Sequence, residues 1–532
     1  MTAAATRWGL LARMDVRRER VIVPATVVLF AVINLSTAAT IQNLASDPAQ
    51  EQALRLTAGT NAAFRFLLGA VPDADSLAAL ASWRAGLFMV ASLGVCAAMA
   101  VVRLTRKEEE AGRTELTLAG AVGPVAPAVA AVTVVIGFVI AVSAAMALTL
   151  LSVDGADAMS LIAVFAQYLS TGLAAIGLAV VAAEVFPSAH SANLAASTVV
   201  LVGYVLRGVA DTVDGASWLR WTSPVGWAEA VEPFDSNNLW PASASLVVFA
   251  AGLAFAPVVR RRRDLGSGVL AVRPGPATGP GLRSPLVLVW RQSRSIVFSW
   301  AGGIAAYGVI IGVVTNQVES LAGSNKAMTD FLESSGAGGT LTQIFLSTMT
   351  AFLAVAAVGA GVSLVIRWRS EETSGRLEVL LATPVSRRRY FWTQSSMVGG
   401  AIVAVMIAAP TSILVGAGLA GAGWGSTART VFGMAAASLP AAAATIALAV
   451  LLYAIDGRLA IVGWPLLVAS WLLGPFGGML GLPQWVRDIS PFTHVPMIPL
   501  QAVQAMPLVI PALVAVVFAV GAAYLWERRD LG

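Results

Sequence analysis

Charge is scarce in this chain. Asp, Glu, Lys and Arg make up 12% of its 532 residues, about half of what a soluble domain carries. His190 and His494 are the only histidines, and Cys96 is the single cysteine. Three such residues, scattered, exclude a metal centre of nitrogen and sulfur ligands and a disulfide framework. They also leave nucleophile–base hydrolysis without its usual histidine. Cys96 lies inside an apolar run and reads as a small packing residue. A carboxylate-only metal site would need acidic residues within the apolar runs, and they gather at the edges instead. Lysine occurs twice, as Lys107 after Arg106 and Lys326 after Asn325. A phosphate-cradling Gly-x-x-x-x-Gly-Lys loop needs glycine before its lysine, so no nucleotide-binding motif of that kind is present.

What the chain has is long hydrophobic runs. Apolar residues are 57% of it, and its mean hydropathy is +0.78. Twelve stretches of 18 or more residues carry no charge: 21–46, 85–102, 116–153, 158–183, 185–206, 236–259, 295–318, 334–366, 390–428, 430–455, 459–486 and 489–526. About 20 apolar residues span a bilayer as a helix, which satisfies its own backbone where water is absent. The expected fold is an all-α integral membrane protein with twelve transmembrane helices.

Basic residues set the orientation. Arg13, Arg17, Arg18, Arg20, Arg103, Arg106, Lys107, Arg260 to Arg263, Arg367, Arg369, Arg387 to Arg389, Arg528 and Arg529 all fall on one side of this topology. Asp47, Glu51, Asp73, Asp75, Asp154, Asp157, Asp214, Glu229, Glu232, Asp235, Glu319, Asp330 and Glu333 fall on the other. Both termini are therefore expected in the cytoplasm of a multi-pass protein of a bacterial cytoplasmic (inner) membrane. The net charge of +5 suits anionic headgroups at the inner face and calls for no nucleic acid. Residues 1–20 lack a cleavage site and read as a cytoplasmic interfacial helix. Trp8, Leu11 and Met14 lie on one face of it, and Arg13, Arg17 and Arg20 on another.

The chain repeats itself. Glu108-Glu109-Glu110-Ala111-Gly112-Arg113-Thr114-Glu115 returns as Glu371-Glu372-Thr373-Ser374-Gly375-Arg376-Leu377-Glu378. Trp218 to Pro224 resembles Trp485 to Pro491, and Arg262 to Gly266 matches Arg528 to Gly532, all at offsets of 263 to 267 residues. Each half holds six of the uncharged stretches, an even number, so the two are parallel repeats about an axis along the membrane normal. The expected divisions are the interfacial helix 1–20, a first six-span half at 21–263, a Gly/Pro linker and interfacial segment at 264–290, and a second half at 291–532. Pro274, Pro276 and Pro280 with Gly275, Gly279 and Gly281 make that linker partly extended.

Within each motif, Glu109–Arg113 and Glu372–Arg376 are spaced for i,i+4 ion pairs. Gly112 and Gly375 let a partner approach closely or end a turn. Glu108, Glu115, Glu371 and Glu378 are then free to meet basic groups of another protein. Acidic charge lies where the positive-inside rule expects basic charge, and it does so twice in register. That favours two docking surfaces.

The segment Glu371 to Arg387, with Thr383-Pro384-Val385-Ser386 near its end, resembles the cytoplasmic signature of type 2 ABC exporter permeases. In that family it forms the coupling helix between the second and third spans of a six-span unit. The fused twelve-span form is similar to actinobacterial permeases for polyketide antibiotics and drugs, the tetronasin-resistance kind. The first copy departs from the pattern, with Ala121-Val122-Gly123-Pro124 in place of Pro384-Val385-Ser386-Arg387. The resemblance implies multidrug efflux driven by two copies of a separate ABC ATPase subunit, which bind ATP and magnesium. No cofactor is implied in this chain, which is a permease and not an enzyme. The residues carried over as ATPase-coupling are Glu108, Glu109, Gly112, Arg113, Glu115, Glu371, Glu372, Gly375, Arg376 and Glu378.

A path for an amphipathic or lipid-like small molecule would be greasy with sparse polar groups. Asn34, Gln167, Tyr168, Asn193, Gln343 and Thr348 are its candidate lining, against the alternative that each makes an interhelical hydrogen bond. Gly172, Gly177, Gly359 and Gly361 permit close helix contact. Arg207 and Asp211, four apart at a span end, read as a structural pair. An ion-gradient carrier would need an acidic residue at mid-span, and none occurs. That carrier and a membrane-embedded transferase are the alternatives to an ATP-driven exporter.

Overall fold

The computed structural model describes residues 5–44, 62–74, 76–260, 262–270, 279, 284–315, 318, 340–473, 483–502 and 504–530. Outside these lie Asp47, Glu51, Asp75, Glu319, Asp330, Glu333, Arg261 and most of the Gly/Pro linker. The chain forms two compact units, Met1–Gly275 and Pro276–Gly532, and every regular element among the described residues is helical.

The first unit begins with α1 (Trp8–Glu19), which lies apart from the long α2 (Ile22–Leu44). After the short α3 (Ala62–Leu68) come α4 (Leu77–Leu104), two short helices α5 (Arg106–Glu110) and α6 (Arg113–Leu118), α7 (Ala126–Thr149), α8 (Ala158–Val185) and α9 (Ala189–Thr212). A 3-10 turn (Ser217–Thr222), α10 (Pro224–Glu229) and α11 (Ala242–Arg260) complete it. Helix starts are written in the sequence. The Ser76 hydroxyl accepts from Ala79 N–H, the Asp157 carboxylate from Met159 and Ser160, and the Ser188 hydroxyl from Ser191, each satisfying donors that a helix start leaves bare. α4 and α8 sit innermost, with 72% of each apolar window buried, against 17% for α2 and 22% for α11.

The second unit comprises α12 (Pro285–Val314), α13 (Leu341–Thr373), α14 (Arg376–Leu381), α15 (Arg387–Leu419) and α16 (Trp424–Ile455). Then follow a 3-10 turn (Gly457–Val462), α17 (Gly463–Leu473), α18 (Gln484–Arg487), a 3-10 turn (Pro491–His494) and α19 (Ala505–Arg528). Thr340 and Gln343 close a capping box at the start of α13. Under its motif this unit packs an aromatic cluster. Trp368 lies against Tyr390, Phe391, Tyr453 and Trp526, with its ring 5.2 Å from that of Trp526.

Eleven helices among the described residues are long and apolar enough to cross a membrane. The twelfth uncharged stretch, 459–486, differs from the expected continuous span. It opens as the 3-10 turn capped by Asp456, continues as an α-helix of 11 residues, and the described segment stops at Leu473. The small residues do what their size permits. A Cβ on Gly252 would stand 2.4 Å from the Gly177 carbonyl oxygen, so α8 and α11 touch backbone to backbone. Cβ atoms on Gly172, Gly359 and Gly361 would likewise lie within 3 Å of Val139, Trp300 and Ile446.

Candidate functional site

Each charged motif folds as an elbow. In the first unit α5 ends at Ala111, Gly112 takes φ +70°, and α6 begins; in the second α13 ends at Thr373, Gly375 takes φ +72°, and α14 begins. Only glycine adopts this left-handed conformation without strain. The backbone follows suit in both copies. Gly112 N–H donates to Glu109 C=O and Gly375 N–H to Glu372 C=O, each at 3.0 Å. The far ends also agree, with Ala119 donating to Glu115 C=O and Ala382 to Glu378 C=O. The variant exit Ala121-Val122-Gly123-Pro124 therefore leaves the elbow intact. What differs is the cap: Ser386 accepts from Arg389 N–H to start α15, whereas the N-cap of α7 is Val125, whose side chain makes no cap bond.

The ion pairs are not the i,i+4 pairs that the spacing suggests. Arg113 grips Glu108 with two bonds of 2.6 and 2.7 Å, and Arg376 Nε lies 3.4 Å from Glu371. Both span five positions, because the glycine bend swings the arginine past the second glutamate and back onto the first. Glu108 also takes Arg18 from α1 at 2.9 Å, and Glu371 takes Arg367 at 3.0 Å. These two carboxylates are thus not free for a partner protein. Hydrogen bonding to Glu108 holds the Arg113 guanidinium above its ordinary pKa.

The second glutamate of each motif turns inward. Arg263, just past α11, meets Glu109 at 2.5 and 2.9 Å and Glu184 at 2.6 Å, and Gly266 N–H adds a bond of 2.8 Å to Glu109. Burial works against the Arg263 charge, but the two carboxylates outweigh it and keep its pKa above ordinary. In the second unit Arg529, just past α19, meets Glu372, and the Tyr453 hydroxyl donates to the same carboxylate at 2.9 Å. Arg263 and Arg529 are the same residue of the Arg-Arg-Asp-Leu-Gly repeat. Each half therefore bolts its elbow to the tail of its own last long helix. Sequence reasoning missed this pairing, although the two repeated landmarks at nearly equal offset carried the signal.

Outside the bolt, both elbows present the same exposed pair. Leu116 is 78% exposed and Val379 72%, at corresponding positions beside the exposed Glu115 and Glu378. Among the described residues neither of these two glutamates is paired.

The proposed path residues do not converge. Asn34 donates to Met146 C=O and Thr149 Oγ1, Tyr168 donates to Gly86 C=O at 3.2 Å, and Gln167 donates to Ala228 C=O at 3.1 Å. These three make interhelical bonds. Gln343 belongs to the capping box of α13, while Asn193 and Thr348 sit half-buried and buried, the Asn193 oxygen without a partner among the described residues. Of the six, Gln167 also borders a cavity.

The family described as "Multidrug efflux system permease Rv1217c, C-terminal domain" matches residues 282–526. Over 528 residues the chain is 34% identical to the multidrug efflux system permease protein Rv1217c of Mycobacterium tuberculosis strain ATCC 25618 / H37Rv, covering 98% of this chain and 95% of that protein. The likeness runs through both units and both elbows. With its long apolar helices in two repeated units, the chain belongs to the family of multidrug efflux system permeases.

Proposed function

We propose that this permease is the membrane subunit of an ATP-driven exporter of amphipathic small molecules, and that α6 and α14 are its two coupling helices. The observation that carries the reading is the twofold elbow, with one face bolted inward by Glu109–Arg263 or Glu372–Arg529 and the other presenting Leu116–Glu115 or Val379–Glu378. An ATPase subunit seated on each exposed pair would move the elbow. The elbow would move the second and last long helices of that half together, biasing the permease between states that bind its substrate differently. The arginine excess at the motif end supports a cytoplasmic placement, and the lack of a nucleotide-binding loop in the chain supports a separate ATPase.

The test is co-reconstitution with the ATPase in liposomes. Leu116→Arg and Val379→Arg should each cut ATP-dependent efflux by about tenfold or more, as loss of an interface anchor does, while inserted protein and its melting temperature stay unchanged. Full efflux in the double variant would remove the docking reading. Efflux by the permease alone, driven by an ion gradient, would replace it with a secondary carrier.

A further inference from the structure

At the end of the first unit opposite the motif, four charged side chains meet. Arg207 and Asp211 come from the last turns of α9, Arg220 from the 3-10 turn, and Glu229 from α10. Arg207 reaches Asp211 at 3.1 Å and donates to the carbonyls of Phe66 and Leu67 at the end of α3, at 2.8 and 3.1 Å. Arg220 donates to the other Asp211 oxygen at 2.8 Å. Glu229 is different. Its oxygens lie 3.5 Å from Arg207 and 3.3 Å from Arg220, yet neither accepts a hydrogen bond from any of the described residues, though the residue is only 8% exposed. They border a cavity of about 110 Å³ that is also lined by Gly69, Trp83, Gln167, Arg220, Glu232 and Asp235. A Cβ on Gly69 would come within 2.6 Å of Glu229 Oε1, so the bare glycine at φ +92° leaves that oxygen its room.

Two acids and two guanidiniums balance in number but not in bonding. Asp211 accepts a hydrogen bond at each oxygen. Glu229 receives none among the described residues, is also buried, and has the Asp211 carboxylate within hydrogen-bond reach, so it is the member of the set that gains by taking a proton. Glu232 and Asp235 at the rim add negative charge, α4 contributes the neutral Trp83 and Ser82, and α8 contributes Gln167. Burial, reinforced by the Asp211 carboxylate and opposed by Arg207, pushes Glu229 up to about 8.

We propose that this cavity is a proton-binding site: Glu229 takes one proton from hydronium in the water beyond the membrane and returns it there, and the neutral acid holds α10 against α9. When Glu229 loses the proton, its charge has no hydrogen-bond donor among the described residues and must be hydrated from the cavity. Relief comes from parting α10 and the 3-10 turn from α9. The closed arrangement is thus favoured below the Glu229 midpoint and loosens as pH rises through it. The second unit lacks the device. Arg487 occupies the place of Arg220 but bonds Gln484, and Val495 and Pro496 stand where Glu229 would fall. The side on which the proton enters rests on the orientation proposed above; the titration itself does not.

The experiment is pH-difference infrared spectroscopy of the full chain in lipid nanodiscs, following the carbonyl stretch of a protonated carboxylic acid. Between about pH 7 and 9 wild type should lose one such band, with a midpoint near pH 8. Glu229→Gln should remove it, while Glu232→Gln and Asp235→Asn should keep it. Arg220→Gln, which keeps Glu229 and removes a neighbouring positive charge, should move the midpoint upward. A band titrating between about pH 7 and 9 that survives Glu229→Gln, or the lack of any band in that window, would overturn the proposal. If Glu229→Gln does not fold, the Arg220→Gln shift decides, and an unmoved midpoint refutes the site. No ATPase enters the measurement, so its failure leaves the coupling reading standing.

Discussion

The bolts beneath the two elbows differ in depth, and that difference sets a measurable order. Glu109 and Arg263 keep 6% and 2% of their side-chain surface, and Arg263 also neutralises Glu184. Glu372 and Arg529 keep 15% and 14%, and Glu372 has the Tyr453 hydroxyl besides. Removing one partner of a buried pair costs about 3–5 kcal/mol, because a charge is left without compensation. Arg263→Gln strands two carboxylates and should fall in that range. Arg529→Gln leaves a carboxylate that water and a hydroxyl can still reach, for which about 1.5–3 kcal/mol is expected. Thermal unfolding in detergent micelles reads the order. A double-mutant cycle of Glu109→Gln with Arg263→Gln reads the pair itself and should show coupling of about 1 kcal/mol or more. Equal losses at Arg263 and Arg529, or additive effects in the cycle, would mean that the elbow is held by helix packing and that the arginines are incidental.

Other outcomes follow from the same geometry. Gly112→Ala and Gly375→Ala place a Cβ in left-handed backbone and should each cost about 1–2 kcal/mol, read as a lower melting temperature. Gly252→Val drives side-chain atoms into the α8 backbone, so a loss of about 1–3 kcal/mol is expected, and a neutral result would refute the backbone-to-backbone contact. Burial pushes Asp15 on α1 from 3.8 to about 6, with Arg18 opposing and Glu108 and Glu19 adding to the rise. The folded protein therefore binds this proton more tightly than the unfolded chain. The resulting stabilisation is complete below about pH 3.8 and is lost as pH rises through about 6, and Asp15→Asn should flatten the melting curve across that window.

The helices, their repetition and the place of both elbows were legible in the sequence, because charge is too costly inside a bilayer to hide where a span ends. The partners within each elbow were less so. The i,i+4 rule applied to Glu109–Arg113 and Glu372–Arg376 assumes an unbroken helix, and the glycine between the two residues breaks it. Glu108 and Glu371 looked unspent because Arg18 and the bent-back Arg113 and Arg376 approach only after folding, and because the i,i+4 spacing of Arg367 and Glu371 was passed over. The long-range bolts were encoded, but in the coincidence of two repeats rather than in either motif. Asn34, Gln167 and Tyr168 show a different limit. A polar residue in an apolar run satisfies itself on the nearest carbonyl if one is in reach, and composition does not say whether one is. Glu229 was read as one more acidic residue on its side of the membrane, since nothing in the sequence predicts that it would fold inward beside Arg207.

The aromatic cluster of the second unit makes the two halves optically unequal. Trp368 and Trp526 stand directly under the Glu372–Arg529 bolt, whereas Thr105 and Arg260 hold the corresponding places in the first unit. Light absorbed by this pair reports on one elbow and is blind to the other. The difference in emission between the permease and its Trp526→Phe variant, recorded while the proposed ATPase partner turns over, would therefore time the stroke of a single half without any attached dye.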